Sequence, residues 1–227
     1  MNAEMNIGEI ITGIDALLKA GEDTRAEEGL VEAISRYTEA EPNNIGGQSV
    51  LFNELGSFYR SRGVFDKGEA AFLKAKALLE EMRGYACMAE GPAPASGCCA
   101  CNAQSCDNPF CKRESGEQRS HTEIIYANKS MTANYATTLN NLAGLYRMDK
   151  RFQKALDTFD AAINVYENCE EGVSPEYFAS SYNNKGLVYL DMQEVDQARA
   201  MFLKAKEILG NDGADQYALG TTVSNLG

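Results

Sequence analysis

Asn134-Tyr-Ala-Thr-Thr-Leu-Asn-Asn-Leu-Ala-Gly-Leu-Tyr146 and Tyr177-Phe-Ala-Ser-Ser-Tyr-Asn-Asn-Lys-Gly-Leu-Val-Tyr189 read almost in register. The first is followed by Phe152, Ala155, Phe159, Ala162 and Ile163, the second by Val195, Ala198, Phe202 and Ala205. Tyr146 and Tyr189 stand 43 residues apart. Self-similarity at such a period marks a chain built from stacked copies of one supersecondary unit. Working outward, an earlier copy reads Phe52-Asn-Glu-Leu-Gly-Ser-Phe-Tyr59, followed by Phe65, Gly68, Phe72 and Ala75. A weaker one puts Leu17 in the tyrosine place, with Ala26, Leu30 and Ala33 after it.

Within each copy, apolar and small residues recur at spacings of three and four, one face of a helix. Turn residues separate the two runs: Arg62-Gly63 in one copy, Asp149-Lys150 in the next. Gly56, Ala143 and Gly186 in the first helices, and Ala75, Ala162 and Ala205 in the second, let two helices approach closely. The aromatics Tyr59, Phe65, Phe72, Tyr146, Phe152, Phe159, Tyr189 and Phe202 then fill the core. Ser174-Pro175-Glu176 reads as an N-cap, a proline at the first helical position and an acid in the first turn. Each helical hairpin leaves an apolar face that only the next can cover, so the stack is cooperative. The predicted pairs span about 4–40, 49–82, 133–168 and 176–209, with the start of a further repeat at 214–227. A repeat stopping inside its first helix exposes that helix, so the chain is expected to be a fragment or to have its end covered by a neighbouring molecule.

The pattern resembles the tetratricopeptide repeat (TPR) family over about three-quarters of the chain, everything outside residues 83–131. Ala136-Thr-Thr-Leu-Asn-Asn-Leu-Ala-Gly-Leu-Tyr146 is most similar to its kinesin-light-chain-like branch, which shares the long repeat. The resemblance implies an all-α, right-handed superhelical solenoid of antiparallel helix pairs and a protein–protein interaction scaffold. It implies a concave groove lined mainly by first helices, where an asparagine hydrogen-bonds the backbone of an extended peptide. Asn141, Asn184 and Asn225 stand in that place, and Asn53, Asn140 and Asn183 sit one residue earlier. Glu54 takes the asparagine's place in the second pair and interrupts the ladder. Thr137, Ser180 and Thr221 stand where some relatives carry cations that capture a C-terminal carboxylate, so that mode is disfavoured.

Residues 83–131 interrupt the pattern. Gly91-Pro-Ala-Pro-Ala-Ser-Gly97 is linker-like, and Cys98, Cys99, Cys101, Cys106 and Cys111 follow it. Thiolates are soft ligands for Zn²⁺ or Cu(I), and four close a tetrahedral site. The paired CxxC spacing that marks a zinc knuckle is missing. Three readings stay open: a metal site with His121 in reserve, a flexible unligated loop, and disulfide or redox chemistry. The alternative function is accordingly a metal- or redox-responsive regulatory module.

Charge narrows the partner. Lys plus Arg total 21 against 33 Asp plus Glu, a formal net charge of −12. Phosphate backbones and anionic lipid surfaces demand a concentrated basic face, so neither nucleic acid nor membrane is expected, and a basic or neutral protein or peptide is. No apolar run approaches the ~20 residues of a membrane span and no leader pattern opens the chain, which predicts a cytoplasmic protein. There is no phosphate-cradling Gly-Lys motif and no dinucleotide glycine fingerprint. The sole histidine lies in the insertion. Binding rather than catalysis is the expectation.

Overall fold

The computed structural model describes residues 6–87, 121–167, 174–210, 221, 222, 224 and 225; of 82–87 and 121–130 it describes the helical backbone alone. Among the described residues eight labelled helices follow in order: α1 (Ile7–Lys19), α2 (Asp23–Ala40), α3 (Ile45–Ser61), α4 (Phe65–Cys87), α5 (His121–Met148), α6 (Phe152–Glu167), α7 (Pro175–Asp191) and α8 (Val195–Gly210). They pair as four hairpins, α1–α2, α3–α4, α5–α6 and α7–α8. Residues 221, 222, 224 and 225 are helical as well.

One turn builds all four hairpins. The second residue after each first helix enters the left-handed region: Gly21 (φ 75°), Gly63 (φ 70°), Lys150 (φ 58°) and Gln193 (φ 65°). The amide that follows it then donates back to the carbonyl of the tyrosine-place residue: Glu22 to Leu17 at 2.9 Å, Val64 to Tyr59 at 3.0 Å, Arg151 to Tyr146 and Glu194 to Tyr189 at 2.8 Å. This is the Schellman closure, which satisfies carbonyls the helix end would leave orphaned. Glycine adopts it freely, whereas Lys150 and Gln193 carry a steric penalty there.

Packing between the two helices of a hairpin rests on a small residue facing a phenylalanine. A Cβ placed on Gly56 would stand 2.6 Å from the Phe72 ring, and one on Gly186 would stand 2.5 Å from Phe202. Phe72, Phe159 and Phe202 are buried to within 1% of completely, as are Ala75, Ala162 and Ala205. Each such ring contributes roughly 1.5–3 kcal/mol by leaving water. Phe65, Phe152 and Tyr189 only flank the core, half-buried against it.

Tyrosine and glutamate clip one hairpin to the next. Tyr59 on α3 donates to Glu27 on α2 at 2.7 Å, and Lys67 on α4 pairs with the same carboxylate at 2.9 Å. One repeat on, Tyr146 on α5 donates to Glu69 on α4 at 2.8 Å, and Arg151 pairs with it at 2.6 Å.

The interruption is shorter than the 83–131 read from the sequence. Helix α4 continues to Cys87 and α5 begins at His121, twelve residues before the predicted start at 133. Those stretches do not repeat the marks that the copies share, so a reading by repeat passes over them. Cys98, Cys99, Cys101, Cys106 and Cys111 lie outside the described residues.

Candidate binding face

First helices touch one another in series, α1 to α3, α3 to α5 and α5 to α7, whereas second helices make no comparable contact with each other. Among the described residues the first helices therefore form the inner side of the stack. The asparagines stand on these helices, and their environments divide them into two groups.

Asn53, Asn183 and Asn225 are committed to the stack. The Asn53 side-chain amide donates to the Ser49 carbonyl at 3.1 Å and to Thr138 Oγ1 at 2.7 Å, joining α3 to α5. Thr138 spends its own hydrogen on the Asn134 carbonyl at 2.8 Å, so it can only accept from Asn53. That fixes the amide's orientation and leaves Asn53 Oδ1 buried without a partner. Asn140 Oδ1, at the equivalent place one repeat on, is likewise buried and unpartnered. Asn225 donates to Asn183 Oδ1 at 3.0 Å, a second bond between successive first helices.

Asn141 and Asn184 are held far less. The Asn141 side chain makes no hydrogen bond among the described residues, and its backbone carbonyl accepts from Arg60 at 3.3 Å. Asn184 donates only a long 3.4 Å bond to Ser180 Oγ. Both are half-buried.

Charged groups also face this side, Arg60 outside the repeat pattern and Glu54 in the asparagine's place. Burial lowers the pKa of the Arg60 guanidinium, and among the described residues no carboxylate pairs with it. Arg62, two positions on, is instead tied to Asp23 at 3.1 Å. Glu54 lies beside a pocket of about 160 Å³ between α1 and α3. Its pKa is raised, first by burial and then by the charge of Asp15 across the pocket. Neither carboxylate has a cation partner among the described residues. A charge on a helix surface reads by default as solvated, so only the three-dimensional setting distinguishes these groups.

Among the described residues no three His, Cys, Asp or Glu side chains gather as metal ligands, and no helix is long and apolar enough to cross a membrane.

Residues 136–168 and 179–208 each match a family model of the tetratricopeptide repeat. The fold extends beyond those two repeats. The crystal structure of BtubC (BKLC) from P. vanneervenii superposes with a TM-score of 0.63 over 97% of this chain and 70% of that one, at 20% sequence identity. TPR-like repeats from Podosopora anserina align over 92% of this chain and 97% of theirs, at 11% identity and a TM-score of only 0.35. No curated protein matches the sequence.

Proposed function

We propose that this array of tetratricopeptide repeats is a protein-interaction scaffold that holds a peptide or protein segment along its first helices. The observation that carries the reading is the split among the asparagines. Asn53, Asn183 and Asn225 tie the helices together, while Asn141 and Asn184, at matching places in successive repeats, keep side-chain amides with little or nothing to hold. An asparagine amide offers both a donor and an acceptor, which is what an extended peptide backbone presents. Two of them about one repeat apart would hold a segment without reading its side chains. The net charge of −12 favours a basic or neutral segment.

The test is a peptide array probed with the full chain, followed by solution affinities for the peptides it retains. Replacing both amides, Asn141→Ala with Asn184→Ala, removes bonds worth about 1 kcal/mol each. The double variant is predicted to bind roughly tenfold or more weakly at unchanged thermal stability. Retention of no peptide, or equal affinity of variant and parent, contradicts the reading.

A further inference from the structure

The pocket between α1 and α3 is walled by Ile11, Ile14 and Leu18 of α1 and Phe58 of α3, with Leu30 of α2 at its floor. Its rim carries two carboxylates, Asp15 and Glu54. Its volume of about 160 Å³ is below the ~300–1,000 Å³ of sites for drug-sized molecules. It suits one or two side chains of a polypeptide. Apolar walls ask for an aliphatic or aromatic group, and paired acids without a counter-charge ask for a cation.

Resting on the reading of the first-helix face as a binding surface, we propose that this pocket is the anchor of that surface. The occupant is a Lys or Arg of the bound segment with a neighbouring aliphatic side chain. The aliphatic group lies against Ile11, Ile14 and Phe58, and the cation reaches Asp15 and Glu54. Three further observations bear on this assignment. Partial desolvation and then the charge of Asp15 raise the pKa of Glu54, and a positive group beside the two carboxylates offsets both. Helix α1 buries none of its residues completely, so its apolar side has room to be covered further. Finally, position 54 carries a glutamate where the later copies carry the asparagines Asn141 and Asn184, a change that suits a cation. The groove grips the backbone through Asn141 and Asn184 and reads one side chain at its other end.

The experiment uses the full chain and a synthetic array of 12-residue peptides. A central Lys, Arg, Gln or Glu is flanked by Leu, Ile or Ser, and affinities of the best members are measured by fluorescence anisotropy. Peptides with a central cation beside Leu or Ile are expected to be retained over those with Glu or with Ser flanks. Asp15→Asn with Glu54→Gln is expected to weaken them roughly five- to tenfold. Ser57→Phe, which plugs the pocket without changing charge, is expected to weaken them as well. Circular dichroism confirms that each variant is folded; should Ser57→Phe fail that check, the charge variant decides alone. Selection of acidic peptides, or affinities within twofold of the parent in the charge variant, overturns the proposal. So does a concentration-dependent dimer that Glu54→Gln dissociates, because the pocket then belongs to a second copy of the chain. Affinity that responds to Asn141→Ala and Asn184→Ala but not to the pocket variants would reject the pocket and keep the groove. Affinity that responds to neither set would reject both.

Discussion

Helix α1 and helix α7 hold the same place in their hairpins and differ most in what they bury. Helix α1, Ile-Gly-Glu-Ile-Ile-Thr-Gly-Ile-Asp-Ala-Leu-Leu-Lys, is rich in isoleucine and leucine, yet none of its residues is buried. Helix α7 is studded with serine, asparagine and a lysine, yet buries Ala179, Ser181, Tyr182, Gly186 and Val188. In a stack, neighbours decide burial: α7 packs against α5 and α6 as well as its own partner α8, whereas α1 leans only on α2 and α3. An apolar helix with few neighbours is where a repeat array has surface left to offer, and the pocket lies there.

The sharpest way to break this comparison is to cut equivalent cores. Phe202→Ala empties a site that is 1% exposed against Gly186 and should cost about 3–5 kcal/mol in guanidinium unfolding. Ile11→Ala on α1 should cost less, about 1–2 kcal/mol, since its side chain is only partly buried. Comparable losses would mean that α1 is packed as tightly as the interior.

The two tyrosine–glutamate clips sharpen it next. Glu69 is the more enclosed, with a side chain 19% exposed against 36% for Glu27. Burial alone would raise the Glu69 pKa, but hydrogen bonds from Arg151 and Tyr146 outweigh it and hold the carboxyl below its usual range. Its contribution is present above the unfolded pKa of about 4.3 and is lost as pH falls through the lower folded value. Glu69→Gln should cost about 2 kcal/mol at neutral pH, flatten the acid side of the stability curve and exceed the effect of Glu27→Gln. Tyr146 gives the opposite limb. Burial, then its bond to Glu69, pushes its pKa up to about 12. Its contribution is full below about pH 10 and is lost as pH rises through about 12. Tyr146→Phe should remove part of that alkaline loss, as read by unfolding between pH 9 and pH 12.

Smaller effects separate the turns. Gly63→Ala forces a Cβ into the left-handed region and should cost about 1 kcal/mol, whereas Lys150→Gly should gain up to about 1 kcal/mol by relieving the same strain. Gly63 has open space around it, so thermal unfolding of this pair isolates backbone strain from packing. Smallest of all is the contrast of caps. Asn44 accepts from the Gly47 amide at 2.9 Å at the start of α3, and Asn6 accepts from Gly8 at 2.9 Å at the start of α1. Asn44→Ala should cost about 1 kcal/mol, and Asn6→Ala less, because it caps the helix with the least packing.

How far the sequence spoke follows from the same physics. Helix packing requires small residues opposite large rings at fixed spacing, so Gly56 with Phe72 and Gly186 with Phe202 were readable, as was the turn at Gly63. The turn at Gln193 was not, because nothing in a glutamine announces a left-handed backbone. The terminal turns of α4 and the opening of α5 escaped notice because their sequence does not repeat the small-residue and aromatic marks that the copies share. The asparagine positions were visible but not their division. Only the fold shows that Asn53 meets Thr138 across 85 residues of chain, while the Asn141 side chain finds no hydrogen-bond partner among the described residues. Arg60 looks like an ordinary surface charge until its partial burial sets it apart, and the pocket beside Glu54 appears only in the fold.

The most direct test of the central claim is hydrogen exchange on the full chain, with and without the tightest peptide from the array. The account predicts slowed exchange in α1, α3, α5 and α7, strongest around the α1–α3 pocket, and little change in α2, α6 and α8. Protection confined to the second helices, or none anywhere, would contradict it.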